Sequence, residues 1–96
     1  MADYELSNKA DEDLTEIYAF SYQRFGEIKA DAYLLALEEC FFMLAEQPLL
    51  GKKIDHIRSG YLRHEHSSHS VFYIQKRDGI LIQRVLHQSM DSERHL

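Results

Sequence analysis

The stretch of sequence that decides the fold is residues 69–87, which read HSVFYIQKRDGILIQRVLH. It contains two runs rich in β-branched and aromatic residues, and Asp78-Gly79 between them is a strong signal for a two-residue turn. The sequence therefore predicts an antiparallel β-hairpin. A turn at Asp78-Gly79 also sets the register, and it predicts that Tyr73 faces Arg84 across the hairpin.

Two helical patterns precede the hairpin. Apolar residues recur at intervals of three and four over residues 8–25 and again over residues 28–46. Ser7 offers a hydroxyl cap for the first helix, Gly26 ends it, and Pro48 stops the second pattern. Because the link is so short, we expect the two helices to form an antiparallel hairpin.

Two further strands complete the predicted architecture. Residues 4–6 form a short strand candidate at an edge, and a strand from Tyr61 to His66 precedes the β-hairpin. The predicted fold class is α+β: an N-terminal strand, an antiparallel helical hairpin and then a small antiparallel β-sheet, in a single domain over residues 1–96.

A chain of 96 residues is expected to have a thin core, because a domain of this size buries only about 60–65% of its unfolded surface. The single cysteine, Cys40, lies on an apolar helical stripe and is expected to be a buried, inert thiol. No apolar run approaches the length of a membrane span, and the N-terminus lacks the basic flank of a signal peptide. We therefore expect a cytoplasmic protein with no membrane contact.

The net charge of −5 conceals an asymmetry between the two halves of the chain. Residues 1–50 contain 11 acidic and 3 basic residues, whereas residues 51–96 contain 5 acidic and 8 basic residues and all six histidines. The acidic surplus is either the solvated face of the helices or the counterpart of a mildly basic sheet that binds an acidic partner.

The His64-Glu65-His66 sequence raises the question of a metal site. Two imidazoles lie on one side of the predicted strand, but His69 has the wrong parity to join them unless Ser67 and Ser68 bend the chain. Solvent-facing polar residues are the preferred interpretation, so no metal ligand and no cofactor is predicted.

A second cluster, formed by Tyr73, Arg84 and His69, with Arg63 nearby on the neighbouring strand, is a candidate nuclease site. Two arguments oppose it. The chain is net acidic, whereas affinity for phosphate backbones comes from Lys and Arg. Arg84 and His87 are three residues apart, so on a regular strand they project to opposite faces. We expect no catalytic residue and no RNA cleavage.

Three stretches, in their order along the chain, resemble the ParE branch of the RelE/ParE toxin superfamily. They are DHIRSGYLR at residues 55–63, HSVFY at residues 69–73 and IQRVLHQSMDSERH at residues 82–95. The resemblance, which with the helical half covers nearly the whole chain, implies the toxin of a type II toxin–antitoxin module. Ser67 departs from it, because many relatives carry glycine there.

The resemblance implies inhibition of DNA gyrase, growth arrest through stalled replication, and neutralisation by a ParD-type antitoxin in a hetero-oligomer. It implies neither a cofactor nor sequence-specific nucleic acid binding by the toxin alone. The residues expected to bind the antitoxin are Arg58, Arg63, Tyr73 and Arg84. Those expected to contact gyrase lie in the C-terminal tail and are His87, Met90, Asp91, Arg94 and His95. The alternatives are a RelE-like ribonuclease that cleaves messenger RNA and a non-toxic homologue that still binds antitoxin.

Overall fold

Within residues 3–96, which the computed structural model describes, two long helices pack on a five-stranded sheet. In chain order, the elements are β1 (Asp3–Leu6), α1 (Asn8–Phe25), α2 (Glu27–Glu46), β2 (Lys52–Lys53), β3 (Tyr61–His66), β4 (His69–Lys76), β5 (Gly79–His87) and α3 (Ser92–His95). The sheet order is β1-β5-β4-β3-β2. The predicted α+β class is confirmed.

The helical hairpin agrees with the predicted bounds to within one residue. The Ser7 hydroxyl accepts a hydrogen bond from the Ala10 amide at 3.0 Å and so caps α1. Gly26 has a φ of 91°, which favours glycine, and it separates the two helices in a single residue. Among residues 3–96, no helix is both long and apolar enough to cross a membrane.

The N-terminal strand lies at the edge of the sheet, as predicted, but it runs parallel to its neighbour β5. All other strand pairs are antiparallel, so the sheet is mixed rather than wholly antiparallel. The reason is connectivity: almost the whole chain separates β1 from β5, so no tight turn imposes an antiparallel pairing.

The predicted register of the central hairpin is wrong. Lys76 pairs with Gly79, so the turn residues are Arg77 and Asp78, and Tyr73 faces Ile82 instead of Arg84. Gly79 is required for a different reason. Its φ is 154° and a Cβ there would collide with the Asp3 carbonyl group, so glycine serves the close approach of β1.

A β-bulge at Gln83 divides β5 into two parts. Ile82 pairs with Tyr73 and Arg84 pairs with Phe72, so Gln83 has no partner on β4. Pairing with β1 ends at Ile82, and the rest of β5 therefore has a free edge within the described chain.

The sheet has apolar clusters on both faces. The main core lies under the helices and includes the buried residues Leu37, Phe41, Leu44, Val71, Tyr73, Ile80, Ile82 and Val85. A smaller cluster on the other face consists of Ile54, Phe72 and Leu86, with Ile57, Tyr61 and Leu96 packed against it. Cys40 is buried as predicted, and burial raises the pKa of its thiol.

Residues at the start of α1 provide hydrogen-bond partners for the backbone groups at the free edge of β5. The Ser7 amide and hydroxyl donate to the carbonyl groups of Ile82 and Gln83 at 2.9 and 2.8 Å. Asp13, which is 8% exposed, accepts from the Val85 amide at 3.0 Å. These contacts satisfy exposed strand groups and thereby seal the edge against unwanted pairing.

The carboxylate of Asp13 also binds Arg84 with two parallel hydrogen bonds. Arg84 donates from Nε at 2.8 Å and from Nη2 at 2.9 Å, and both side chains are mostly buried. The hydrogen bond to Asp13 raises the pKa of Arg84. This is a charge-assisted pair of defined geometry that joins α1 to the sheet.

We predict that Gly79→Ala lowers the free energy of unfolding by more than about 2 kcal/mol, because the new methyl group displaces β1 from β5. Gly60→Ala is the matched control. Gly60 also has a positive φ of 82°, but its Cβ would meet open space, so only about 1 kcal/mol of backbone strain is expected. Urea denaturation followed by circular dichroism measures both variants, and equal losses would contradict the role assigned to Gly79.

We also predict that Asp13→Ala costs about 3 kcal/mol, because it leaves Arg84 without its partner and the Val85 amide unpaired. In a double-mutant cycle with Arg84→Ala, the coupling should exceed about 1 kcal/mol. The exposed pair of Glu5 and Lys76 is the control, and its coupling should stay below about 1 kcal/mol. Similar coupling energies for the two pairs would refute the special status of Asp13.

Candidate functional site

A cavity of about 660 Å³ lies between the helices and the free edge of β5. Both long helices, the sheet and the C-terminal tail contribute to its walls, through residues that include Glu16, Phe20, Tyr33, His69, Val85 and Met90. A concave, partly apolar surface of this kind is the usual form of a binding site.

The rim of the cavity carries large apolar side chains that the fold leaves in solvent. Phe20 is 61% exposed and Phe25 is 56% exposed, and both come from the second half of α1. Met90 of the tail is 40% exposed on the same cavity. Grouped apolar side chains on a soluble domain mark a surface that binds another molecule.

Two histidines and a tyrosine form the polar end of the cavity. The ring centroids of His69 and His87 are 5.5 Å apart, and the Tyr33 hydroxyl and His69 Nδ1 share a hydrogen bond of 2.7 Å. Burial, with smaller contributions from His87 and His66, lowers the pKa of His69. Burial therefore favours the neutral form of the His69 imidazole.

Arg84 lines the same cavity as His87, although the two side chains leave opposite faces of β5. The guanidinium of Arg84 extends around the strand edge to Asp13, and its Nη1 donates to the His95 carbonyl at 2.9 Å. The two side chains project to opposite faces of β5, as alternation along the strand predicts, and they reach one cavity because Arg84 bends around the strand edge. Asp13 nonetheless neutralises Arg84, and Glu16 adds another acid to the cavity wall.

The other predicted antitoxin-binding arginines lie outside this cavity and have partners of their own. Arg58 donates to the Leu96 carbonyl at 2.8 Å and lies 5.8 Å from the centre of the Tyr61 ring. Arg63 forms a half-exposed ion pair with Glu65 at 3.1 Å. The tail thus connects Arg58 to Arg84, whereas Arg63 lies apart on β3.

Tyr73 has a structural position. Its side chain is 0% exposed, its hydroxyl donates to the Pro48 carbonyl at 2.9 Å, and it accepts from the Gly51 amide at 2.9 Å. The prediction that Tyr73 and Arg84 lie opposite each other is wrong. Tyr73 pairs with Ile82 and Arg84 pairs with Phe72, because of the observed register and the bulge.

The C-terminal tail packs against the sheet, although few of its side chains are apolar. Asp91 caps α3 by accepting from the Glu93 amide at 3.1 Å, and Leu96 packs on the cluster of Ile54, Phe72 and Leu86. Burial of Leu96 therefore holds the tail against the outer face of the sheet. The side chains of Met90, Asp91, Arg94 and His95 remain exposed beside it.

The two histidines of β3, His64 and His66, are partly buried. Within residues 3–96, no group of three or more His, Cys, Asp or Glu side chains has the geometry of a metal site. The centre of the His66 ring lies 5.9 Å from that of the Tyr33 ring. The pKa of His64 is lowered mainly by burial and to a smaller extent by the neighbouring His66.

Among the cavity residues that sequence reasoning missed are Asp13, Phe20, Phe25 and Tyr33. Asp13 belongs to the run Asp11-Glu12-Asp13, and acids near the start of a helix are explained by the helix dipole alone. A signal existed for Phe20, since it is a large aromatic residue that falls outside the apolar stripe of α1.

Comparison with known proteins assigns the family. The model of the "ParE toxin of type II toxin-antitoxin system, parDE" matches residues 4–92. Toxin ParE1 of Caulobacter vibrioides is 41% identical over 98 residues, which cover 100% of this chain and 99% of the relative. Toxin ParE1 of Mycobacterium tuberculosis is 38% identical over 94 residues, which cover 97% and 96% of the two chains.

A solved structure has the same fold. It is described as the chromosomal ParDE TA system from P. aeruginosa, and it superposes with a TM-score of 0.73 at 23% identity, covering 91% of this chain and 96% of that one. The family match and the two close relatives span almost the whole sequence. The chain therefore belongs to the ParE toxin family of type II toxin–antitoxin systems.

Proposed function

We propose that this protein inhibits DNA gyrase in the cytoplasm and that a ParD-type antitoxin neutralises it by forming a hetero-oligomer. The observation that carries the proposal is the family match over residues 4–92. Inhibition by binding requires no nucleophile, cofactor or metal in the toxin, because the bound gyrase supplies all the chemistry.

The charges around the cavity support a binding role over RNA cleavage. A nuclease needs free cations to hold phosphates. Here Arg84 is paired with Asp13, and Glu16 lines the same wall, so that Lys29 is the one lysine or arginine of the cavity without an acidic partner among residues 3–96. The net charge of −5 also repels nucleic acid.

A RelE-like ribonuclease is the second candidate, and one observation favours it. His69 and His87 are paired across β4 and β5 on one wall of the cavity, with ring centroids 5.5 Å apart, and Tyr33 shares a hydrogen bond with His69. Two imidazoles in such a position can serve as general base and general acid. A third candidate is a non-toxic homologue that still binds antitoxin. It differs from an active toxin in that its induction would leave growth unaffected.

The cavity is the surface that we assign to the antitoxin. A disordered antitoxin segment that folds on this surface would cover Phe20, Phe25 and Met90, and burial of these groups supplies the affinity. Arg58 and Arg63 are retained as contacts for antitoxin carboxylates, since both are partly exposed. Arg84 contributes through its cavity face, and Tyr73 is not included because it is buried.

We predict that Phe20→Ala with Phe25→Ala weakens antitoxin binding at least about tenfold, because each ring fills the interface core. The Arg58→Ala and Arg63→Ala changes should have smaller, salt-dependent effects. Binding should also raise the melting temperature of the toxin by about 5 °C or more.

Leu35→Ala with Phe42→Ala is the matched control, because it removes exposed apolar groups outside the cavity. Affinity is measured by isothermal titration with a co-purified antitoxin that has been separated and refolded. The cavity assignment fails if the control pair weakens binding as much as the cavity pair does.

We assign gyrase contact to the exposed side chains of the tail. We predict that Met90→Ala, Arg94→Ala and His95→Ala together raise the toxin concentration for half-inhibition of supercoiling at least about tenfold. Since Leu96 and the main-chain carbonyl groups remain, the variant should keep its melting temperature. The control is Lys53→Ala with Arg77→Ala, which removes exposed cations elsewhere.

The same preparations separate the three functions. Unchanged inhibition by the tail variant would move the gyrase contact to another surface, and no inhibition by the natural chain would exclude gyrase as the target. Transcript cleavage that His69→Ala and His87→Ala abolish would establish the ribonuclease. Induction that leaves growth unaffected, with antitoxin binding intact, would establish the non-toxic homologue.

A further inference from the structure

Helix α2 is apolar on two opposite sides. Its inner side supplies core residues such as Leu37, Phe41 and Leu44. On its outer side, Ile28, Leu35 and Phe42 follow one another every seven residues and are 87%, 57% and 52% exposed. Residues at this interval lie on one face of the helix, about 10 Å apart, so the three side chains form a row of separate apolar contacts that another helix can cover.

Two acidic residues accompany this row. Glu39 follows Leu35 by four residues and Glu46 follows Phe42 by four, so each acid lies one turn farther along the same face. Both are exposed, and within residues 3–96 neither takes part in a salt bridge. We define the α2 outer face as Ile28, Leu35, Glu39, Phe42 and Glu46.

One end of this face is held rigid. The Phe42 ring packs edge-on against Tyr4 with centroids 4.9 Å apart, and Tyr4 in turn packs against the buried Phe41 at 5.2 Å. A partner that covers Phe42 therefore meets a side chain that is already ordered, which lowers the entropic cost of binding.

We propose that the α2 outer face is a second docking surface, separate from the cavity, whose partner is a basic amphipathic helix. An apolar seam in the partner covers Ile28, Leu35 and Phe42, and its lysines or arginines pair with Glu39 and Glu46. A second copy of this chain fits poorly, since it would bring further acids of its own α2 into the same interface and no lysine or arginine of the outer face to pair with them.

The surface is independent of the one assigned to the antitoxin. The α2 residues that line the cavity are Lys29 and Tyr33, which lie on another side of the helix from Ile28, Leu35 and Phe42. Both surfaces can therefore be occupied at once, and the inference does not rest on the proposed gyrase inhibition.

The test uses a designed helical peptide of about 21 residues with leucine in its heptad seam and lysine at the flanking positions. A second peptide has glutamate in place of every lysine. Each carries a fluorescent label, and binding to the full chain is followed by anisotropy. We expect the lysine peptide to bind, its affinity to fall as salt rises, and the glutamate peptide to bind at least about tenfold more weakly.

Two variants locate the contact. Glu39→Lys with Glu46→Lys, and separately Leu35→Ala with Phe42→Ala, should each weaken the lysine peptide at least about tenfold. The charge control is Glu12→Lys with Glu93→Lys, which changes net charge equally at exposed sites elsewhere. The apolar control is Phe20→Ala on the cavity rim. Neither control should alter binding.

Several results would overturn the proposal. They are failure of the lysine peptide to bind, equal binding of the two peptides, and equal weakening by the control variants. Self-association of the natural chain that Leu35→Ala with Phe42→Ala abolishes would instead assign the face to a second copy. Circular dichroism of each variant verifies that the fold is kept.

Discussion

The carboxylate of Asp13 is the constraint on which the rest of the arrangement depends. It caps the Val85 amide and binds Arg84 with two hydrogen bonds, so one buried side chain joins α1 to the second half of β5. The bulge at Gln83 makes this contact necessary, because beyond it β5 has lost its neighbour β1. Without such a partner, the exposed strand edge and the Arg84 charge would both be unsatisfied.

The same pair connects the two faces of the sheet. Besides binding Asp13, Arg84 donates a hydrogen bond to the His95 carbonyl. Arg58, in the segment between β2 and β3, donates one to the Leu96 carbonyl. Leu96 then covers the outer apolar cluster. The tail is consequently part of the folded unit, and its exposed side chains are presented on a fixed support rather than on a frayed end.

The helical layer is used on both of its sides. Toward β5, Phe20 and Phe25 leave an apolar rim around a cavity, and on the outer side Ile28, Leu35 and Phe42 form an exposed row. A thin-cored domain of this size has little apolar surface to spare. Exposed apolar surface of this extent is expected of a toxin from a toxin–antitoxin system, which has an antitoxin as its partner.

The sequence by itself determined the helices, their caps, the hairpin and the edge strand, because these depend on local periodicity and on single residues such as Ser7 and Gly26. It did not determine the register of β4 and β5. Gly79 was assigned to the turn, whereas its conformation serves contact with Asp3, a residue distant in sequence.

The candidate site was likewise predicted only in part from the sequence. The resemblance to ParE toxins singled out Arg84, His87 and Met90 as binding residues, and the structure places all three at one cavity. Their partners came from elsewhere: Asp13 and Phe20 on α1 and Tyr33 on α2. Only the packing of the helices on the sheet brings these residues to β5, and a one-residue bulge decides which side chains meet them. Periodicity along a chain records which face of an element is buried, but it contains no information about which distant residue completes a charge pair.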